Sequence, residues 1–198
     1  MGLELEYING QTPIEEEELQ GLLIKTITTR GELDEFEQKN IEEAIQWTMQ
    51  RNFKKEKVLT ESFIKSLHKR MYGKVWSWAG KFRKTERNIG INSKHISVSL
   101  KNLLDDTHFW LENNTYSPDE IAVRFKHRLV SIHCFPNGNG RHSRLMADII
   151  IEKICKEPRF TWGQKDLTKK SQMRDVYIAT VKEGDKNNYQ PLLDFARS

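Results

Sequence analysis

Residues 117–154 read SPDEIAVRFKHRLVSIHCFPNGNGRHSRLMADIIIEKI, and this stretch decides the fold. Ser117-Pro118-Asp119-Glu120 combines a capping-box pattern with proline at the first helical position, where its missing N–H costs nothing. Ile121, Phe125, Leu129 and Ile132 then recur at three- and four-residue steps, which predicts one amphipathic helix ending near His133. A second helix starts around Arg141, buries Leu145, Met146, Ile149, Ile150 and Ile154, and stops before Pro158. The intervening loop runs from Cys134 to Gly140. Its glycines, Gly138 and Gly140, can take positive φ and let backbone approach a ligand with no Cβ in the way. The loop opens straight into a helix, whose first N–H groups lack intrahelical partners and whose dipole favours negative charge. Arg141 and Arg144, three apart, share a face at that end, and each carries planar donors suited to phosphate oxygens. His133 stands at the opposite rim, with an imidazole able to take a proton near neutral pH. Together these residues describe a polyphosphate cradle with a general base beside it.

The remainder of the chain is mostly helical. Phe36, Ile41, Ala44, Ile45, Thr48 and Met49 predict a helix over 34–52, and Thr60 caps another carrying Phe63, Ile64, Leu67 and Met71 up to Gly73. A third, over 98–113, turns Leu100, Leu103, Leu104, Thr107 and Leu111 inward. Later helices are expected over 168–183 and around Leu192, Leu193 and Phe195. Gly80 to Val98 breaks the period with glycines and alternating β-branched residues, and reads as a β-hairpin or extended flap turning near Asn92. Residues 1–33 are the least periodic and are expected to form an arm on the outside, leaving 34–198 as a single domain. The expected fold is therefore all-α, a helical bundle with one small hairpin flap.

Composition narrows the function. A length of 198 residues suits one domain, and no apolar run approaches the roughly 20 residues a membrane-spanning helix needs. MGLELEYINGQ lacks the basic start and apolar stretch of a secretory signal, so a cytoplasmic protein is expected. Two cysteines, Cys134 and Cys155, are too few for a disulfide framework or thiolate zinc site. A surplus of four positive charges, with acidic runs at 15–18 and 37–43 breaking up the basic ones, makes nucleic acid the least favoured partner. Four of the six histidines (His68, His95, His108 and His127) have no partners at ligand spacing and read as structural. Trp76 and Trp78 read as core-edge residues, and Lys81, Arg83 and Lys84 as solvated.

The run from His133 to Arg144 resembles the signature of the Fic-domain family, H-x-F-x-[DE]-G-N-G-R-x-x-R, at His133, Phe135, Gly138, Asn139, Gly140, Arg141 and Arg144. WAGKFR, at 78–83, resembles the start of that family's flap region, and residues 28–41 resemble the subgroup called mobile mystery protein B, found on mobile elements. The resemblance implies a Fic-type helical bundle and a protein adenylyltransferase. Such an enzyme moves AMP from ATP to a Ser, Thr or Tyr hydroxyl of a target protein, or of itself, and releases pyrophosphate. His133 would be the general base. Gly138, Asn139 and Gly140 would form the anion hole, Arg141 and Arg144 would hold the β- and γ-phosphates, and Phe135 would anchor the loop. The flap would align an extended target segment by strand addition.

Asn137 occupies the place where the family pattern has Asp or Glu, the carboxylate that binds Mg²⁺ in relatives. An amide oxygen carries no charge, so Mg²⁺ (or Mn²⁺) would be held more weakly here. Two alternatives therefore stay open: another phosphorus transfer, such as the Doc-like phosphate transfer, and a nucleotide-binding module that has lost catalysis. Relatives also carry an inhibitory [ST]-x-x-x-E-[GN] helix whose glutamate pairs with the second arginine. Thr28-x-x-x-Glu32 has its start and spacing, though Leu33 follows, and makes Glu32 the candidate restraint on Arg144. Target, preferred nucleotide and oligomeric state are not legible.

Overall fold

The computed structural model describes residues 16–163 and 170–198. The first part of the arm, residues 1–15, and the first two residues of the helix expected over 168–183 lie outside that set. The described elements are α1 (Glu16–Leu19), α2 (Arg30–Met49), α3 (Lys55–Val58), α4 (Glu61–Tyr72), α5 (Ile96–Asn113), α6 (Pro118–Ile132), α7 (Asn139–Ile149), α8 (Lys170–Asp185) and α9 (Gln190–Arg197). A π-helical turn, Ile150–Ile154, prolongs α7. The fold is all-α.

α6 lies at the centre, packed between α5 and α7, while α2 lies on α4 and α9 closes against α8 and α6. Its start is the one expected: the Ser117 hydroxyl accepts the Glu120 N–H at 3.3 Å, with Pro118 in the first turn. Phe125, Leu129 and Ile132 of α6 meet Leu100 and Leu103 of α5 and Met146, Ile149 and Ile150 of the α7 limb in one buried core. Burying such side chains stabilises the bundle by about 1.5–3 kcal/mol each.

Two expectations are corrected here. α2 begins at Arg30, four residues early, because Thr29 and Glu32 form a reciprocal capping box. The buried stripe also differs from the one expected. Leu33, Glu37, Asn40, Ile41, Ala44 and Thr48 face inward, whereas Phe36 and Met49, read as core residues, are 43% and 58% exposed. The chain ahead of α2 does not merely lie on the surface: Leu22 and Ile27 enter the core, and Leu22 makes an antiparallel bridge with Trp76.

The segment 80–95 takes the extended-flap form, with no strand ladder among the described residues and a 3₁₀ turn at Ser93–His95. The reason is Arg83. Read as solvated, it is 3% exposed, and its guanidinium donates to the carbonyls of Thr85, Ile91 and Ile132. A side chain, rather than a partner strand, thus satisfies the flap's carbonyls.

Four histidines of this core are held neutral. Burial pulls His68 well below the ordinary 6.5, His127 below it, His133 to about 4 and His142 to about 3. Each titrates near 6.5 once unfolded, so between those values the unfolded chain binds more protons. Stability is fully present above pH 6.5 and falls as the pH is lowered towards 4, by several kcal/mol in sum. Urea midpoints at pH 7.5 and 4.5 measure this; equal midpoints would refute neutral burial of these rings.

Candidate active site

The loop 134–138 is shaped from within. Asn139, 4% exposed, accepts the Phe135 N–H at 2.9 Å with its amide oxygen and donates to the Phe135 carbonyl at 2.7 Å. The side chain of the asparagine expected to line the anion hole is therefore spent on closing the loop, and only its backbone N–H is left for a ligand. Phe135 is fully buried, stacked on His68 with ring centroids 3.7 Å apart and edge-on to His142 at 5.2 Å. These ring contacts tie the loop to the core. His68 adds a second tie, because its Nε2–H donates to the Asn137 carbonyl and its Nδ1 accepts the Gly80 N–H, both at 3.0 Å.

Gly138 caps α7 in the left-handed region, φ +77°, and no side chain caps that helix. The first-turn amides consequently stay open to an anion. Only glycine fits at this position: a Cβ there would lie 2.5 Å from the Tyr72 ring. Gly140 is bare for the opposite reason. Its nearest neighbour is the Tyr177 hydroxyl, 3.9 Å from where a Cβ would stand, so a cradle rather than a packed wall faces it.

The motif arginines fan out from α7 over two tyrosines. Arg141 Cζ lies 5.1 Å from the Tyr72 ring centroid and Arg144 Cζ 5.2 Å from that of Tyr177. Arg141 also pairs with Glu37, Nη1 to Oε2 at 2.7 Å, while the other oxygen of that buried carboxylate accepts the Trp76 indole N–H at 2.7 Å. Sequence reasoning named a different carboxylate. Glu32 is exposed, and its Oε2 accepts the Thr28 and Thr29 N–H groups at 2.8 and 3.1 Å. Glu37 was nevertheless discoverable, since it stands on the apolar stripe between Leu33 and Ile41, where a charge needs a partner.

His133 ends α6 in left-handed conformation, φ +56°. The flap fixes it there. Arg83 donates through Nε to the His133 carbonyl at 2.6 Å, and Gly90 passes so close that a Cβ would lie 2.5 Å from that of His133. Burial, then Arg83 and Arg87, push the imidazole to about 4, while a hydrogen bond to backbone Val130 opposes the shift. Nε2 is buried with no partner. The result is a neutral ring with one open acceptor nitrogen at neutral pH, as a base requires. Cys134, beside it, is raised to about 12 by burial and stays a thiol.

No group of three or more His, Cys, Asp or Glu side chains among the described residues could hold a metal ion. Asn137 supplies one amide oxygen, and that oxygen accepts the Gly138 N–H at 2.6 Å. The donor set does not make a protein metal site.

In this all-α bundle the open start of α7 lies between a neutral histidine and two arginines, an arrangement suited to an anionic ligand. Comparison with known proteins gives the following likenesses. Residues 58–151 match the family model described as Fic/DOC family. The protein adenylyltransferase Fic of Drosophila grimshawi is 27% identical over 141 residues, which make up 69% of this chain and 28% of that protein. The protein adenylyltransferase fic-1 of Caenorhabditis elegans is 30% identical over 96 residues, 44% of this chain and 18% of that one. The chain thus spans less than a third of the length of these curated relatives. A crystal structure of the BepC effector of Bartonella tribocorum, with bound AMPPNP, superposes with a TM-score of 0.66 at 19% identity, covering 92% of this chain and 97% of that one.

Gly138→Ala combines left-handed strain with a clash against Tyr72. It is expected to cost about 1–3 kcal/mol and to close the cradle. Thermal melting with and without ADP checks both effects; an unshifted melting temperature would show that the loop tolerates a Cβ.

Proposed function

We propose that this chain is a protein adenylyltransferase, moving AMP from ATP to a Ser, Thr or Tyr hydroxyl of a target protein and releasing pyrophosphate. One observation carries the reading: the uncapped start of α7 and the unpartnered His133 Nε2 bound the two ends of one short loop. The relatives named for this activity support it. In the step proposed, the hydroxyl oxygen forms a bond to the α-phosphorus while the bond from that phosphorus to the bridging oxygen breaks. His133 Nε2 accepts the hydroxyl proton. The amides of Asn139 and Gly140 face the developing charge, and Arg141 and Arg144 hold the departing pyrophosphate. Gly138 keeps the approach open, and Phe135 keeps the loop in place. Any Mg²⁺ or Mn²⁺ would have to come held by the nucleotide's own phosphates, where it would neutralise their charge, since the chain would offer it little beyond the uncharged amide oxygen of Asn137.

The same reading takes the chain from α2 onward as one Fic-type domain with the stretch ahead of Arg30 as its arm, and the protein as cytoplasmic and capable of self-modification. No helix of the described residues is long and apolar enough to cross a membrane. The 28–41 segment supports the mobile mystery protein B placement and carriage on a mobile element. Asn137 favours one competing reading, phosphate transfer without a carboxylate-bound metal. Mass spectrometry of lysate proteins incubated with ATP separates the two by the added group, AMP or phosphate. His133→Ala is expected to abolish the modification with the fold intact; undiminished transfer by that variant would sink the proposal.

Restraint in this reading comes from Glu37 rather than Glu32. A bound triphosphate competes with the Glu37 carboxylate for Arg141, so Glu37→Gln, which keeps the Trp76 acceptor, should tighten ATP binding roughly tenfold. Glu32→Gly should leave binding unchanged and only weaken the start of α2. Calorimetric titration of the three proteins decides between the two carboxylates.

A further inference from the structure

Lys126 has no role in the chemistry above, yet it is a fully buried lysine with an unpartnered Nζ. It projects from the middle of α6, is 0% exposed, and its Nζ has no hydrogen-bond partner. The atom stands 4.3 Å from the centroid of the Tyr177 ring, the same ring over which Arg144 lies. The Tyr177 hydroxyl is itself buried and unpartnered, and it is the atom that borders Gly140. Lys126, Tyr177 and Arg144 therefore form a continuous wall behind the first turn of α7, with hydrogen-bonding capacity left unused.

An ammonium in that place is poorly supported while the cradle is empty. Burial, with Arg144 as the foremost charged neighbour, pulls Lys126 well below 10.5, and Asp185 opposes this. The groups that face it are Arg144 from α7 and Tyr177 and Asp185 from α8, with His127 alongside on α6. Asp185 is 58% exposed and already accepts the His127 Nε2–H at 3.0 Å, so it offers only a screened, shared countercharge. Tyr177 is held as the neutral phenol, chiefly by burial. The missing ingredient is an anion next to Arg144, and the adenylyltransferase reading puts a phosphate group there.

We propose that Lys126 is a latent third cation of the cradle: an uncharged amine in the empty protein, it takes a proton from solvent when an anionic phosphate ligand settles against Arg144. This rests on the phosphate site of the adenylyltransferase reading and adds to it a ligand-driven protonation. The amine lone pair takes up the proton, a buffer molecule gives it, and the bound phosphate stabilises the resulting charge. The empty site thereby avoids a third buried positive charge, while the loaded site gains one.

The test is isothermal titration of the full chain with ADP at pH 8 in two buffers of different ionisation enthalpy. At that pH the nucleotide's own phosphates are ionised and take up no proton on meeting arginines. The wild type should absorb a large fraction of a proton per ADP, visible as a buffer-dependent heat. In Lys126→Met the buffer dependence should vanish and affinity fall roughly tenfold. A buffer-independent heat in the wild type, or undiminished proton uptake in Lys126→Met, would overturn the inference. Should the methionine variant fail to fold, Lys126→Gln serves for the same comparison, and the wild-type heats alone still decide against the idea if they coincide. Failure of ADP to bind at all removes the phosphate site and the inference with it, whereas binding without proton uptake removes the inference alone.

Discussion

The arrangement depends on the two hydrogen bonds between the Asn139 side chain and the backbone of Phe135. An amide side chain offers one acceptor and one donor in fixed geometry, so it can mimic a facing backbone and close a loop that has none. With the loop closed in this way, α6 ends and α7 begins within a few residues, and the capping function that a Ser or Asp would normally serve is withheld from α7. The open amides are thus a by-product of how the turn is made. Phe135, wedged among His68, Phe82 and His142, turns that local closure into a rigid feature of the core.

Around this point charge is distributed unevenly. Arg141 and Arg144 project from α7, and Arg174 on α8 is lowered by burial and by the proximity of both. Within that group one carboxylate, Glu37, stands deep in the protein on Arg141. A buried ion pair of this kind adds little net stability, since desolvation offsets most of the attraction. Its significance lies in what it sets in competition: the same guanidinium cannot serve Glu37 and an incoming phosphate equally. The histidine side of the site is ordered by the opposite means. Arg83 spends its guanidinium on carbonyls, joining the flap to the end of α6 and holding His133 beneath Gly90.

Most of the fold was legible because helical period and capping act locally. Ser117-Pro118 and the 121–132 stripe placed α6 to within a residue, and Gly138 was legible as a position of positive φ. What escaped reading came from long-range contacts. The face of α2 was misread because Phe36 and Met49 look like core residues, while the buried positions include Glu37 and Asn40, whose partners are Trp76, Arg141 and the backbone of Arg70 and Lys74. Arg83 looked like one more surface cation because nothing nearby in sequence shows which carbonyls it serves. Lys126 and Tyr177 lie 51 positions apart and meet only when α8 packs beside α6. No periodicity can report such a meeting.

The link from Trp76 through Glu37 to Arg141 gives the molecule an optical property. Indole emission responds to the charge and hydrogen bonding at its ring nitrogen, and the nitrogen of Trp76 is bonded to the very carboxylate that touches a motif arginine. Whatever draws that arginine away alters the electrostatic surroundings of a chromophore that is itself shielded from water. An anion that drew Arg141 off Glu37 would thereby change the ultraviolet emission of Trp76, without any label.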